Sequence, residues 1–147
     1  MIYTSYFKNP VVLPPKTTLT LAITAYTPEW WSGATYTKVA PPKELVLYYK
    51  GAKSRKDIDD SKLQAYYIDY YNKHVLNNLN AKDVARELQA MAGMLGKQDI
   101  VLLCFEKSSD FCHRHVLRDW LNNNGIQCEE VCYEIKHMQI NPSSSCD

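Results

Sequence analysis

The chain has 147 residues, of which 22% are charged and 46% hydrophobic, and a formal net charge of +1. This length suits one domain around one core, and so small a charge gives no field that would draw the molecule to nucleic acid or to an anionic membrane. The apolar runs are too short to span a bilayer and MIYTSYFKNP lacks the basic-then-apolar layout of a secretory signal, so a soluble, cytoplasmic protein is expected.

MIYTSYF is short, β-branched and aromatic, and reads as a strand. KNPVVLPPKT, with three prolines, predicts an extended connection to a second strand, TLTLAIT, in which polar and apolar residues alternate. AYTPEWWSGATYTKVAPP has four aromatics, a glycine and no periodicity, which predicts a long ordered loop. PKELVLYYKG predicts a short helix with proline in the first turn and Gly51 as the stop, and the mixed charges of GAKSRKDIDD predict a solvated loop.

Leu63, Tyr66, Tyr67, Tyr70 and Tyr71 recur at spacings of three and four and predict a helix over about Ser61–Leu76. Asn80 caps the next helix, AKDVARELQAMAGML, which Gly96 closes. DIVLLCF is continuously apolar, as a strand covered on both faces of a parallel sheet would be. A helix follows over about Asp110–Asn123, ending at Gly125, and IQCEEVCYE is the last strand, with Cys128 and Cys132 on one face. The expected fold class is α/β: a single layered domain over residues 1–140, with a mostly parallel central sheet flanked by helices, and a short polar tail over 141–147.

Five cysteines without a secretory layout point to free thiols in a reducing compartment, with Cys146 in the polar tail incidental. Eleven tyrosines line helix faces or meet a ligand with their flat bodies and polar tips.

The chemistry concentrates in VLLCFEKSSDFCHRHVLRDWL. In open α/β sheets ligands bind beyond the carboxyl ends of the strands, where Cys104 and Glu106 fall. The next helix points its N-terminus, with free N–H groups and a favourable dipole, at the same place. Winding that helix puts Val116, Leu117, Trp120 and Leu121 on a buried arc with His113 in its middle. Cys112 and Arg114 flank the arc, and His115, Arg118 and Asp119 face solvent.

Three readings of this corner are open. One is a thiol enzyme, with Cys112 as a nucleophile activated at the helix N-terminus, His113 as proton carrier and Arg114 on the developing charge. A second is a metal site of Cys104, Cys112 and His113, but the spacing fits no common zinc pattern and a fourth ligand is missing. The third, needing the fewest assumptions, is an anion site of Arg114 and the helix terminus. If the second strand and DIVLLCF are parallel neighbours, Tyr26, Trp30 and Trp31 lie over the same crevice and stack on a base, or else latch the sheet.

LLCFEKSSDFCHRHVLRDWL resembles the signature of the domain of unknown function 488 family: a strand ending in Cys-x-Glu, here Cys104 and Glu106, then Cys-His-Arg, here Cys112, His113 and Arg114, opening a helix. YTSYF and AITAYTPEWW are similar to the compact bacterial, archaeal and phage form of that family. The resemblance implies an α/β fold and hands over no reaction. Related members tend to carry an arginine where this chain has Ala25, which weighs towards binding without turnover.

The expected function is binding of a phosphorylated small molecule, a nucleotide or nucleotide derivative. Arg114 and the helix N-terminus hold its anionic part, Tyr26, Trp30 and Trp31 its flat part, and Glu106 and Cys104 complete the site. The alternatives are a Cys112- and His113-dependent enzyme on a nucleotide or nucleic-acid component, and a homodimeric module using the tyrosine-rich helices. No cofactor, no metal and no membrane partner are expected, and the net charge does not support nucleic acid as a partner. Replacing Arg114 is expected to weaken anion binding and to leave folding intact.

Overall fold

A computed structural model of the chain describes residues 1–8, 13–56, 58–105 and 111–131. Glu106, Cys132, Cys146 and the tail over 141–147 lie outside them. Strands β1 (Ile2–Tyr6), β2 (Thr18–Ala22), β3 (Ala34–Thr35), β4 (Asp99–Cys104) and β5 (Cys128–Glu130) form one sheet in the order β3-β2-β4-β1-β5. Every pairing is parallel. Helices α1 (Lys43–Arg55), α2 (Asp60–His74), α3 (Ala81–Met94) and α4 (His113–Asn123) complete the α/β domain. Among the described residues no helix is long and apolar enough to cross a membrane.

The apolar run of β4 explains its central place. Ile100 through Cys104 are all buried, and side-chain alternation serves two clusters at once. Ile100 and Leu102 join the main core with Leu45 of α1, Tyr67 and Tyr71 of α2, Leu88 of α3, and Leu117 and Leu121 of α4. Val101 and Leu103 face a smaller cluster with Leu13, Tyr3, Phe7 and Trp31. Asn80 caps α3 as expected, its side chain accepting from the Asp83 N–H at 3.1 Å, and Gly96 takes the left-handed conformation beyond it, with φ 69°. Tyr71 is fully buried and donates its hydroxyl to the Val39 carbonyl at 2.6 Å, tying α2 to the chain entering α1.

Three boundaries differ from expectation. Helix α1 runs straight through Gly51 to Arg55 and stops at Lys56, which has φ 56°. A helical glycine costs only about 1 kcal/mol against alanine, less than the packing of the helix around it returns. The first half of the predicted solvated loop GAKSRKDIDD, Gly51 to Arg55, is therefore helix. The loop after β2 holds the two-residue strand β3, both residues exposed, which is too short for an alternation signal. Helix α4 starts at His113, with Cys112 as its N-cap residue in extended conformation.

Candidate functional site

β2 and β4 are parallel neighbours, and Ala22 pairs with Leu103 at their carboxyl ends. Beyond those ends opens a cavity of about 360 Å³. Its floor is Cys104, Cys112 and His113, its sides include Thr24, Ala25 and Tyr26 from the chain leaving β2, and Phe105 and Phe111 close it from the loop between β4 and α4. The remaining wall comes chiefly from α1, which contributes Val46 and Tyr49, half-buried, and Lys50, Lys53 and Ser54, exposed at the rim. That series has the spacing of one helical face.

His113 is buried and doubly held. Its Nε2 lies 2.7 Å from the Ile23 carbonyl oxygen. A carbonyl only accepts, so Nε2 carries the proton and donates. Burial lowers the imidazole pKa to about 4, against the opposing pull of the Ile23 bond and with help from the Arg114 charge. The ring is therefore neutral near pH 7, and its Nδ1 keeps a bare lone pair. That lone pair faces Cys104 Sγ at 3.5 Å and Cys112 Sγ at 3.8 Å. Tyr71 fixes the ring edge-to-face, with centroids 5.6 Å apart.

Cys104 and Cys112 are joined as a disulfide across a Cα–Cα distance of 7.4 Å. This corrects the expectation of free thiols throughout: the end of β4 and the N-cap of α4, eight residues apart in the chain, bring the two sulfurs together. Cys128 is a free buried thiol, and burial pushes its pKa up to about 12, so it stays protonated and inert.

Arg114 is placed otherwise than expected. It is fully buried, lies outside the cavity wall, and grips Glu130 through Nε at 3.1 and 3.2 Å and Nη2 at 2.9 Å. Its guanidinium also sits over the Tyr6 ring, 5.6 Å from the centroid. The reason is the register of β5 on β1, which pairs Glu130 with Thr4 and so presents the carboxylate beneath the first turn of α4. Thr4 donates its hydroxyl to the same carboxylate at 2.5 Å. Burial pushes the Glu130 pKa up, but the hydrogen bonds and charge of Arg114 outweigh it and the net shift is downward. Arg114 thus closes a buried ion pair with Glu130.

The tryptophans also leave the site. Trp31 packs on the smaller cluster with its ring 5.2 Å from Phe7, and Trp30 is 62% exposed, edge-on to the same Phe7. Of the two, Trp31 packs against the sheet through Val101 and Leu103, and Trp30 meets its aromatic neighbours Phe7 and Trp31. Tyr26 alone of the three reaches the cavity, with the Lys43 ammonium 5.2 Å from its ring centroid.

Sequence reading missed Lys50, Lys53, Tyr49 and Ser54. The signal was present as the series Val46, Tyr49, Lys50, Lys53, Ser54, one helical stripe once the helix is carried through Gly51. Thr24 was missed as well. Its hydroxyl is buried in the cavity wall and has no hydrogen-bond partner among the described residues.

A parallel α/β sheet with a Cys-His centre at its carboxyl edge, walled by aromatic and cationic side chains, defines the class. The chain belongs to the DUF488 family: it matches DUF488-N3a, described as the active DUF488-N3 subclade, over residues 15–125. No curated protein and no solved structure matches it.

Proposed function

We propose that the cavity binds a phosphorylated small molecule carrying a flat ring, a nucleotide or nucleotide derivative. The observation that carries this reading is the cavity-lining face of α1, which sets Tyr49 beside Lys50, Lys53 and Ser54. The lysines supply charge for a phosphate, and Ser54 supplies a hydroxyl. Tyr26, Tyr49 and Phe111 offer ring faces for a base. The Thr24 hydroxyl is a buried group whose hydrogen bond a ligand would complete, and leaving such a group unmade is costly.

Thermal stabilisation by a panel of nucleoside monophosphates, followed by calorimetric titration with the best of them, tests the proposal. Lys50→Ala and Lys53→Ala are each expected to weaken binding by roughly tenfold, about 1.5 kcal/mol, the worth of one charge-assisted hydrogen bond. Arg118→Ala is the control, because Arg118 pairs with Asp119 at 3.1 Å and lies outside the cavity wall. It should change affinity by less than about 0.5 kcal/mol. No stabilisation by any member of the panel, or equal losses at Lys50, Lys53 and Arg118, would refute the reading.

A second reading, a thiol enzyme on the same class of ligand, draws support from His113 Nδ1. In the reduced protein that bare nitrogen stands ready to take a proton from either cysteine at the cavity floor. The description of the matched subclade as active favours it too. Ala25, in the cavity wall where relatives tend to carry arginine, weighs the other way.

A further inference from the structure

Cys104 Sγ, Cys112 Sγ and His113 Nδ1 all lie within 4.8 Å of one another, and all three residues are buried. A tetrahedral zinc ion with bonds of about 2.3 Å to sulfur and about 2.0–2.1 Å to nitrogen holds its sulfur and nitrogen ligands roughly 3.5–3.6 Å apart. His113 Nδ1 meets the two sulfurs at 3.5 and 3.8 Å. The Cα atoms of the two cysteines, 7.4 Å apart, are set wider than the roughly 4.4–6.8 Å that disulfides usually bridge, which leaves room for an ion once the sulfurs part.

The imidazole is already arranged as a ligand. Its far nitrogen donates to the Ile23 carbonyl at 2.7 Å, the kind of outer hydrogen bond that fixes tautomer and ring orientation in metal-bound histidines. Charge points the same way. Two thiolates balance a dication, so the buried site becomes neutral on filling, whereas two buried thiolates alone would be costly.

We infer that the protein, once its Cys104–Cys112 bond is reduced by a thiol reductant, binds one zinc ion through Cys104, Cys112 and His113, with the fourth position open to the cavity. Reduction gives two thiols, and zinc entry releases their two protons to solvent as the two zinc–sulfur bonds form. Among the described residues no fourth protein ligand joins these three, and what counted against a metal in the sequence becomes the expected feature. Structural zinc sites are closed by four protein ligands, while sites that act on a ligand keep three and an open position. Cys104, Cys112 and His113 line the same cavity as Thr24, Tyr26, Phe105 and Phe111, so an open position there would be reached from it. It would take water or an oxygen of whatever the cavity holds. The site escapes the common zinc patterns because β4 and α4 deliver its ligands through the tertiary fold.

The test needs only the metal. Protein produced in zinc-supplemented medium and purified under a phosphine reductant without chelator should carry about one zinc per chain. Cobalt(II) added to the zinc-stripped protein should give thiolate-to-metal charge-transfer absorption and the intense visible bands of a four-coordinate centre. Cys104→Ser and Cys112→Ser should each lower zinc affinity at least tenfold, and Cys128→Ser should leave it unchanged. If a serine variant fails to fold, the cobalt spectrum of the parent chain decides alone. Reduced parent protein that holds no zinc and gives no charge-transfer band would overturn the inference, as would zinc retained at full affinity in folded Cys104→Ser and Cys112→Ser.

Discussion

Arg114→Ala is expected to destabilise the fold by about 3–5 kcal/mol, measured by urea denaturation at neutral pH, because it strands a buried carboxylate. Glu130 is only 3% exposed, and in the variant it would keep the Thr4 hydrogen bond but lose the guanidinium that balances its charge. Pairing Arg114→Met with Glu130→Leu should recover most of the loss, since replacing both charges by apolar groups is often neutral or better. The dependence on pH follows from the depressed Glu130 pKa. The folded state holds the proton less tightly than the unfolded chain, so this stabilisation is fully present above the unfolded carboxyl value and is lost as pH falls through the folded one. The parent should therefore lose stability on the acid side, and the Arg114→Met, Glu130→Leu variant should lose less there. An Arg114→Ala variant as stable as the parent would show that the pair contributes little.

Leu117→Ala is expected to cost about 2–5 kcal/mol by the same measurement, the usual range for deleting a buried leucine side chain. Leu117 is fully buried one turn beyond His113 and packs in the main core with Leu121 and Tyr71. Trp120, only partly buried on the same helix, gives a comparison, and Arg118→Ala should stay within about 0.5 kcal/mol of the parent. A cost below about 1 kcal/mol at Leu117 would mean that α4 is not pinned to the sheet as described.

Local chemistry made much of this legible in the chain. The apolar run of β4, the Asn80 cap and the Leu117–Leu121 arc each depend on neighbours within a turn or a strand, and each appears in the structure. The corner of Cys104, Cys112 and His113 was also readable, because a strand end and a helix start separated by a short loop have to meet. Arg114 was not. Helical winding placed it at the edge of the crevice, but its environment is set by the pairing of β5 with β1, a contact across most of the chain that no local pattern encodes. The cations of the cavity were hidden for a smaller reason: one glycine was weighed as a stop where the packing of α1 overrides it. The tryptophans could have gone to either face of the sheet, and the side of β4 that carries Val101 and Leu103 took Trp31.

A crystal structure of the complex with a nucleoside monophosphate tests the central claim most directly. The phosphate should lie within hydrogen-bonding reach of Lys50 or Lys53 and the base against Tyr26, Tyr49 or Phe111, with the Arg114–Glu130 pair undisturbed. A nucleotide bound outside the cavity, or a phosphate held by Arg114 after release from Glu130, would contradict it.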